Sequence, residues 1–181
     1  RTGVPGSSSL VQHATLWIGL LGGAIAARDD RLLSIGHLAD RFREPYRRVL
    51  SAFVAAVSAA VSLLLAGSGL QLVRAEWADR HYVVPFLPLW VAEAVIPAGF
   101  ALIAWRLVRR AQGGVWVRAA GAAGAVAGVA FVSSGLILSW VPFAAAVVTL
   151  LLAVVLGAPL FVALGGLAVL FFRHAGVPIA S

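Results

Sequence analysis

Few side chains of this sequence could carry out chemistry. Cysteine is absent and all 14 basic residues are arginine, which excludes thiolate nucleophiles, thiolate metal ligands and a phosphate-binding loop with its lysine. There are no paired carboxylates and no set of serine, histidine and aspartate. Of the four histidines only His13 lies inside a long apolar stretch, whereas a haem between two membrane helices needs paired axial ligands. The sequence therefore predicts no enzyme, no catalytic or metal-binding residue, and no cofactor held by these residues.

Glu93 is the one formally charged side chain inside the long apolar stretches. A carboxylate at membrane depth is a functional candidate by default, because inserting a charge there costs about 2.5–3.5 kcal/mol. Its neighbours Ala92, Ala94 and Val95 offer no further polar group, which favours a structural role. In that role Glu93 accepts hydrogen bonds from Arg74, Gln71 or a neighbouring helix, or stays protonated. We predict that it fixes the packing of its own span.

The elements that carry these residues are predicted to cross a membrane. The chain is 61% hydrophobic and 12% charged, with a mean hydropathy of +0.97, whereas soluble domains carry about a quarter charged residues. A helix needs about 20 apolar residues to cross the hydrocarbon core, and no apolar run alternates as a barrel strand would. The fold class is therefore all-α: a polytopic integral membrane protein with about five transmembrane helices. The spans are predicted at 10–27, 49–73, 85–105, 119–141 and 143–172, the last bent at Gly157 and Pro159.

The charged connections predict the orientation. Arginines number six between the first two spans and four between the third and fourth, against two between the second and third. The positive-inside rule places the two arginine-rich connections in the cytoplasm, and on this threading Arg173 also lies inside. The net charge of +7 then indicates contact with lipid headgroups and not with nucleic acid.

The connection from Arg28 to Arg48 is predicted to contain a short amphipathic helix. Ile35, Leu38 and Phe42 recur at helical spacing among its charges, as in a helix that lies in the membrane interface. A merely solvated loop helix is the alternative.

Three segments carry a resemblance to one family. The run from Ser9 to Arg28 resembles the second membrane helix of the small, Q-type subunit of TRAP (tripartite ATP-independent periplasmic) transporters. Phe86 to Trp90, Val95 to Phe100 and Arg106 resemble the last helix of that subunit. Phe143 onward, with Leu156 to Gly165 and the ending Gly176 to Ser181, is similar to the opening helix of the large, M-type subunit.

Finding both kinds of segment in one chain suggests the fused form of the permease. The expected regions are 1–112, a Q-type part that lacks its first helix; 113–142, a linker transmembrane helix; and 143–181, the start of the M-type subunit. The chain is accordingly expected to be a fragment. The linker would carry the chain back across the membrane, because Q ends inside and M begins outside.

The resemblance implies sodium-driven uptake of organic acids through the bacterial inner membrane. The expected partners are the remainder of the M-type subunit, a periplasmic solute-binding protein and membrane lipids. Substrate and sodium sites are expected in M beyond Ser181, while Q braces a static scaffold. The outer connection could dock the binding protein through Arg74, Glu76, Asp79 and Arg80, although a solvated loop is the preferred explanation of these charges. A membrane anchor or assembly subunit without a transport role stays open as an alternative, as does an unrelated transporter.

Overall fold

The computed structural model describes residues 7–29, 43, 46–79, 82–84, 87–110, 114–134 and 140–176. In these residues almost every element is a helix, which confirms the all-α membrane fold class. The elements in chain order are α1 (Ser7–Asp29), α2 (Tyr46–Asp79), β1 (Tyr82–Val84), β2 (Leu87–Pro88), α3 (Leu89–Glu93), α4 (Val95–Arg110), α5 (Val115–Ser133), α6 (Trp140–Leu156) and α7 (Leu160–His174).

Among the described residues, four segments are long and apolar enough to cross a membrane: Leu10–Ala27, Tyr46–Ala78, Leu89–Arg109 and Val115–Ser133. They correspond to the first four predicted spans. Their bounds differ from the prediction, because α2 continues well past Val73 and the third span starts at Leu89. The amphipathic helix predicted between Arg28 and Arg48 falls mostly on residues 30–42, which lie outside the described residues.

Successive long helices run in opposite directions, as the placement of the arginine-rich connections on one side predicts. On α1 and α4, Leu20 faces Gly99 and Gly23 faces Ile103, so these two helices run parallel. On α2 and α4, Gly69 meets Ile96 while Ala59 and Ala104 share one core cluster, so this pair is antiparallel.

Small residues bring α2 and α5 together. Added Cβ atoms at Gly121, Gly124 and Gly128 would lie 3.6, 2.8 and 3.0 Å from the Cβ atoms of Ala55, Ala56 and Ala60, respectively. The partners rise in the same order, so the two helices are parallel. Because these glycines have no side chain, the two backbones can approach closely and make extensive van der Waals contact. In a membrane such contact drives helix association, since lipid supplies no hydrophobic effect. The Gly124–Gly128 pair is therefore a helix contact.

The stretch predicted as one bent span is instead a helical hairpin. Leu150 of α6 fills the space beside Gly166 of α7, and the rings of Phe143 and Phe171 lie 5.4 Å apart. A continuous helix would separate those two phenylalanines by about 40 Å at 1.5 Å per residue. The expectation of a single span over 143–172 is thus wrong, and Arg173 lies on the side where α6 begins and not across the bundle from it.

Local chemistry explains the reversal. The N–H of Ala158 bonds to the carbonyl of Ala153 (2.8 Å), and the N–H of Gly157 bonds to that of Val154 (3.1 Å). This is the Schellman arrangement that ends helices, and it needs a residue at positive φ, which Gly157 supplies at 120°. Pro159 then precedes α7 with a fixed φ of −60° and starts the new direction.

The bundle has a basic end and a far end. The basic end holds the start of α2, the end of α4 and the start of α5, with Arg48, Arg109 and Arg118. The rings of Phe143 and Phe171 lie together, so both ends of the hairpin lie on one side of its tip. The tip of the hairpin packs inside the bundle, where Phe161 lies 6.5 Å from Phe100.

Candidate functional site

Glu93 lies where the third span is interrupted. It is the last residue of α3, and Ala94 forms a turn before α4 begins at Val95. Pro97 explains the interruption, because it has no N–H to donate to the carbonyl of Glu93, four residues earlier. The break places the carboxylate at a junction of elements and not along a regular helix face.

The carboxylate is half-buried and incompletely satisfied. Its Oε2 atom is buried, and no described residue donates a hydrogen bond to it. The donors predicted from the sequence, Arg74 and Gln71, occupy exposed positions on α2. The prediction that Glu93 fixes the packing of its span stays a prediction, and hydrogen bonding to Oε2 does not support it.

Helices α1, α2 and α3 converge on this junction. Glu76 of α2 and His13 of α1 lie close enough for their charges to act on Glu93. The indole Nε1 of Trp17 donates a hydrogen bond of 2.7 Å to the carbonyl of Ala92, one residue before Glu93. That bond ties α1 directly to the interrupted span. Trp17 thus positions α1 against the interrupted span, a role that the sequence analysis did not predict.

Aromatic rings extend the junction to the surface of the far end. The Trp77 and Trp90 rings lie 4.4 Å apart with their planes tilted by 49°. A shallow cavity of about 210 Å³ is lined by these rings together with Tyr82 and Pro88. Strands β1 and β2 pair antiparallel and turn the chain between the two tryptophans. Amphipathic rings at a span end are typical of the membrane interface, and this set adds a concave surface there.

The predicted docking residues occupy a helix and not a loop. Arg74, Glu76 and Asp79 lie on the last turns of α2, which continues to Asp79. Arg80 lies outside the described residues. Arg74 is exposed and Glu76 is partly exposed, so both charges reach the same end of the bundle as Trp77. A helix fixes the spacing of these charges more firmly than a solvated loop would.

At the other end of the α1–α4 pair, Arg106 makes a contact that the sequence did not single out. Its guanidinium donates a hydrogen bond to the carbonyl of Ala24 on α1. A bond from a charged donor in a partly buried place contributes about 1.5–3 kcal/mol. Its position at the end of an apolar run was the only available signal. Arg109, by contrast, lies over the Trp105 ring at 5.2 Å from the centroid.

The described polar groups of this site contact neighbouring helices. Among the described residues, no group of three or more histidines or carboxylates could hold a metal ion. The partly buried polar groups instead join neighbouring helices: Trp17 and Arg106 tie α1 to the third span at two levels.

A family model matches the part of the chain that contains these contacts. The model described as "Tripartite ATP-independent periplasmic transporters, DctQ component" matches residues 1–115, which is more than half of the chain. The chain belongs to the DctQ family. It is thus a TRAP transporter membrane component and not a member of an enzyme family. DctQ components work with a DctM component and a periplasmic binding protein. No curated protein and no solved structure matches the chain.

The DctQ match and the fold divide the chain in a similar place. The matched residues comprise α1 to α4, with the junction around Glu93 and the Arg106 contact. Helices α5, α6 and α7 lie beyond the match, apart from the first residue of α5. The tight α2–α5 contact therefore joins the DctQ part to chain that the family model does not describe.

Proposed function

We propose that this chain is the scaffold portion of a fused TRAP permease, which takes up organic acids by sodium-coupled transport from a periplasmic solute-binding protein. Residues 1–112 form the Q-type part, 113–142 the linker and 143–181 the start of the M-type part. The protein would reside in the bacterial inner membrane with its basic end in the cytoplasm. Sodium and the organic acid would bind in the remainder of M, beyond Ser181.

The single observation that carries this proposal is the parallel contact of α5 with α2. Helix α4 ends at the basic end, at Arg110, and α5 returns the chain to the far end at Ser133. A fused permease needs such a crossing, because its Q part ends on one side and its M part begins on the other. Gly121 and Gly124 pack on α2 as an integral part of the bundle, so the linker is a structural element.

The contacts of the hairpin support a bracing role for the Q-type part. The Leu65 side chain of α2 fills the space at Gly165 of α7, and Val61 lies against Gly166. At the tip, Phe161 packs with Phe100 of α4. The proposed start of M is thereby held on two helices of the DctQ part, as expected where a static scaffold carries a moving domain.

Reconstitution of the complete permease in liposomes tests the transport function. With the cognate binding protein and an inward sodium gradient, a labelled organic acid should accumulate inside the vesicles. Replacing external sodium with potassium, or omitting the binding protein, should abolish accumulation. Uptake that is indifferent to both conditions would contradict the proposal.

A disulfide lock tests the scaffold assignment separately. The Cβ atoms at positions 55 and 121 would lie 3.6 Å apart, within the range of about 3.5–4.5 Å that disulfides adopt. The double substitution Ala55→Cys and Gly121→Cys would thus join α2 to α5 on oxidation, and these 181 residues contain no other cysteine. Uptake should survive oxidation, because both helices belong to the static part. Loss of uptake that reduction restores would place relative motion between them and refute the assignment.

A further inference from the structure

An apolar cleft separates the hairpin from the rest of the bundle. It has a volume of about 390 Å³ and lies between α2 and α5 on one side and α6 and α7 on the other. Nearly all of its lining is aliphatic or aromatic. The hydroxyl of Thr149 is an exception, and it is already engaged, since its Oγ1 donates a hydrogen bond of 2.8 Å to the carbonyl of Ala145. Nothing in this lining recognises a polar ligand.

The cleft exists because small residues face one another across it. Ala56 and Gly124 form part of one wall, and Ala145 and Ala146 form part of the other. The hairpin packs tightly against α2 at one edge of the cleft, where Val61 lies beside Gly166, and again at its tip beside Phe100. Between these contacts the small residues leave a gap.

The size and chemistry of the cleft fit a hydrocarbon chain. Side chains that line an unfilled apolar space lose the dispersion contacts that a neighbouring group would supply. Taking about 30 Å³ for a group the size of a water or a methylene, the cleft accommodates roughly a dozen such groups, close to the length of a phospholipid acyl chain. The cleft extends along α2 from Phe53 to Leu64 and is open on one side.

Positive charge lies within two helical turns of the basic end of the cleft, which Phe53 and Gly124 line. Ala52 of α2 adjoins Gly121 of α5, where an added Cβ would lie 3.7 Å from the Ala52 carbonyl oxygen. Arg48 precedes Ala52 by four residues and Arg118 precedes Gly121 by three, and such spacings place residues on one helix face. Both arginines are exposed. The two parallel helices therefore place Arg48 and Arg118 at a similar level, near the point where the apolar cleft gives way to water.

We infer that this cleft binds one anionic phospholipid from the leaflet at the basic end of the bundle. One acyl chain fills the space between α2, α5 and the hairpin, and the phosphate lies by Arg48 and Arg118. The lipid replaces missing side-chain contacts between the DctQ part and the hairpin. The two arginines attract an anionic headgroup, so the cleft prefers an anionic phospholipid to a neutral one.

Filling the cleft tests the position of the acyl chain. Ala145→Leu places a larger side chain in the cleft, while Ala144→Leu adds the same group at a neighbouring exposed position that does not line it. Lipid that co-purifies with the protein would be quantified by mass spectrometry after mild detergent extraction. Ala145→Leu should lose most of the retained phospholipid, and Ala144→Leu should keep it. Equal retention in the two variants would overturn the inference.

Removing the two charges tests the headgroup. Affinity for phosphatidylglycerol would be measured from the rise in melting temperature on titration of the protein in detergent, with phosphatidylcholine as the neutral comparison. Each exposed arginine near the surface is worth about fivefold in affinity. The double substitution Arg48→Gln and Arg118→Gln should therefore weaken binding about 25-fold, whereas Arg109→Gln, at the same end of the bundle, should change it little. Equal weakening by both, or equal affinity of the wild-type protein for both lipids, would refute the headgroup assignment.

Photocrosslinking of lipid to the wild-type protein is a third test. It needs no substitution, so its result does not depend on whether a variant folds. Phosphatidylglycerol with a diazirine in its acyl chain would be activated on the wild-type protein, and the adducts mapped by peptide mass spectrometry. Adducts should concentrate on the cleft walls, at Phe53 to Leu64 and around Phe131. Adducts confined to exposed faces such as Ile18 and Ile25 of α1 would contradict the inference.

Discussion

Helix α2 and the α6–α7 hairpin begin from similar apolar stretches and end as different structures. Helix α2 is 34 residues long and continues without interruption through Gly67, Ser68 and Gly69. The hairpin consists of helices of 17 and 15 residues that reverse direction at Gly157 and Pro159. Both stretches contain glycine near the middle and both are long enough to cross a membrane. Hydropathy alone therefore does not distinguish the stretch that forms α2 from the stretch that forms the hairpin.

The difference lies in the residues that come after the glycine. Gly67 and Gly69 precede residues that can donate to the helix ladder, so the helix continues, and Gly69 packs against Ile96. Gly157 adopts a positive φ, and two residues later Pro159 has no N–H to donate. Glycine therefore permits a reversal in a membrane helix, and a nearby proline with tertiary contacts to both arms produces it.

Accessibility labelling should show the largest effect, because the two topologies give opposite results. Cysteines would be placed singly at Ala144 and at Ala175, both exposed positions near the open end of the hairpin, in the complete permease. A membrane-impermeant maleimide should reach both positions from the same side of the membrane, so in intact cells or sealed spheroplasts it should label either both or neither. If one position reacted in intact cells and the other only after the membrane was opened, α7 would cross as the sequence first indicated, and the hairpin would be wrong.

Overpacking the hairpin should destabilise it substantially. An added Cβ at Gly166 would lie 2.7 Å from Leu150 Cδ1 and 3.2 Å from Val61 Cγ2. Gly166→Leu should therefore cost about 1–3 kcal/mol or more, seen as a lower melting temperature in detergent. Ala168→Leu, at an exposed position of the same helix, is the control and should be nearly neutral. Equal melting of the two variants would show that α6 and α7 are not packed at Gly166.

Alanine at the two glycines should act in opposite directions. Gly157→Ala forces a side chain onto a residue with φ of 120°, which costs about 1 kcal/mol. Gly67→Ala replaces a helical glycine with no other atom near its Cβ position and should stabilise by about 0.5–1 kcal/mol. Melting temperatures of the two variants in one detergent give the comparison. A gain for Gly157→Ala would mean that the hairpin turn is not formed as described.

Substitutions of Glu93 should have the smallest effect. Glu93→Gln keeps the shape but removes the carboxylate, and Glu93→Leu removes all polarity. Because no described residue donates a hydrogen bond to Oε2, we expect each to lower stability only by about 0.5–1 kcal/mol. The measurement is the melting temperature in detergent. If both variants melted with the wild type, the predicted role of Glu93 in packing the third span would be excluded.

The parts of the fold that sequence reasoning predicted well depend on solvent preference. Charged residues avoid hydrocarbon, so charged connections separate the first four spans, and the arginine-rich ones lie together at one end of the bundle. The structure places Arg43, three residues before α2, and Arg109 at the same end, as the positive-inside rule predicts. The site was predicted less well. Glu93 was recognised from its isolation, but its junction with His13, Trp17 and Glu76 joins residues up to 80 positions apart in the chain.

From composition and the placement of charge, the sequence by itself determined an all-α membrane protein, the number and direction of its first four spans, and the family to which residues 1–115 belong. Only the tertiary structure decided that the final apolar stretch folds back and that α5 packs in parallel on α2. It also decided that Arg106 binds Ala24 and that small residues leave a cleft beside the hairpin. The physical reason is that the free energy of transferring a helical segment from water to lipid depends on the residues of that segment alone. The choice between crossing and reversing depends on which neighbour satisfies the backbone and fills the space beside each glycine.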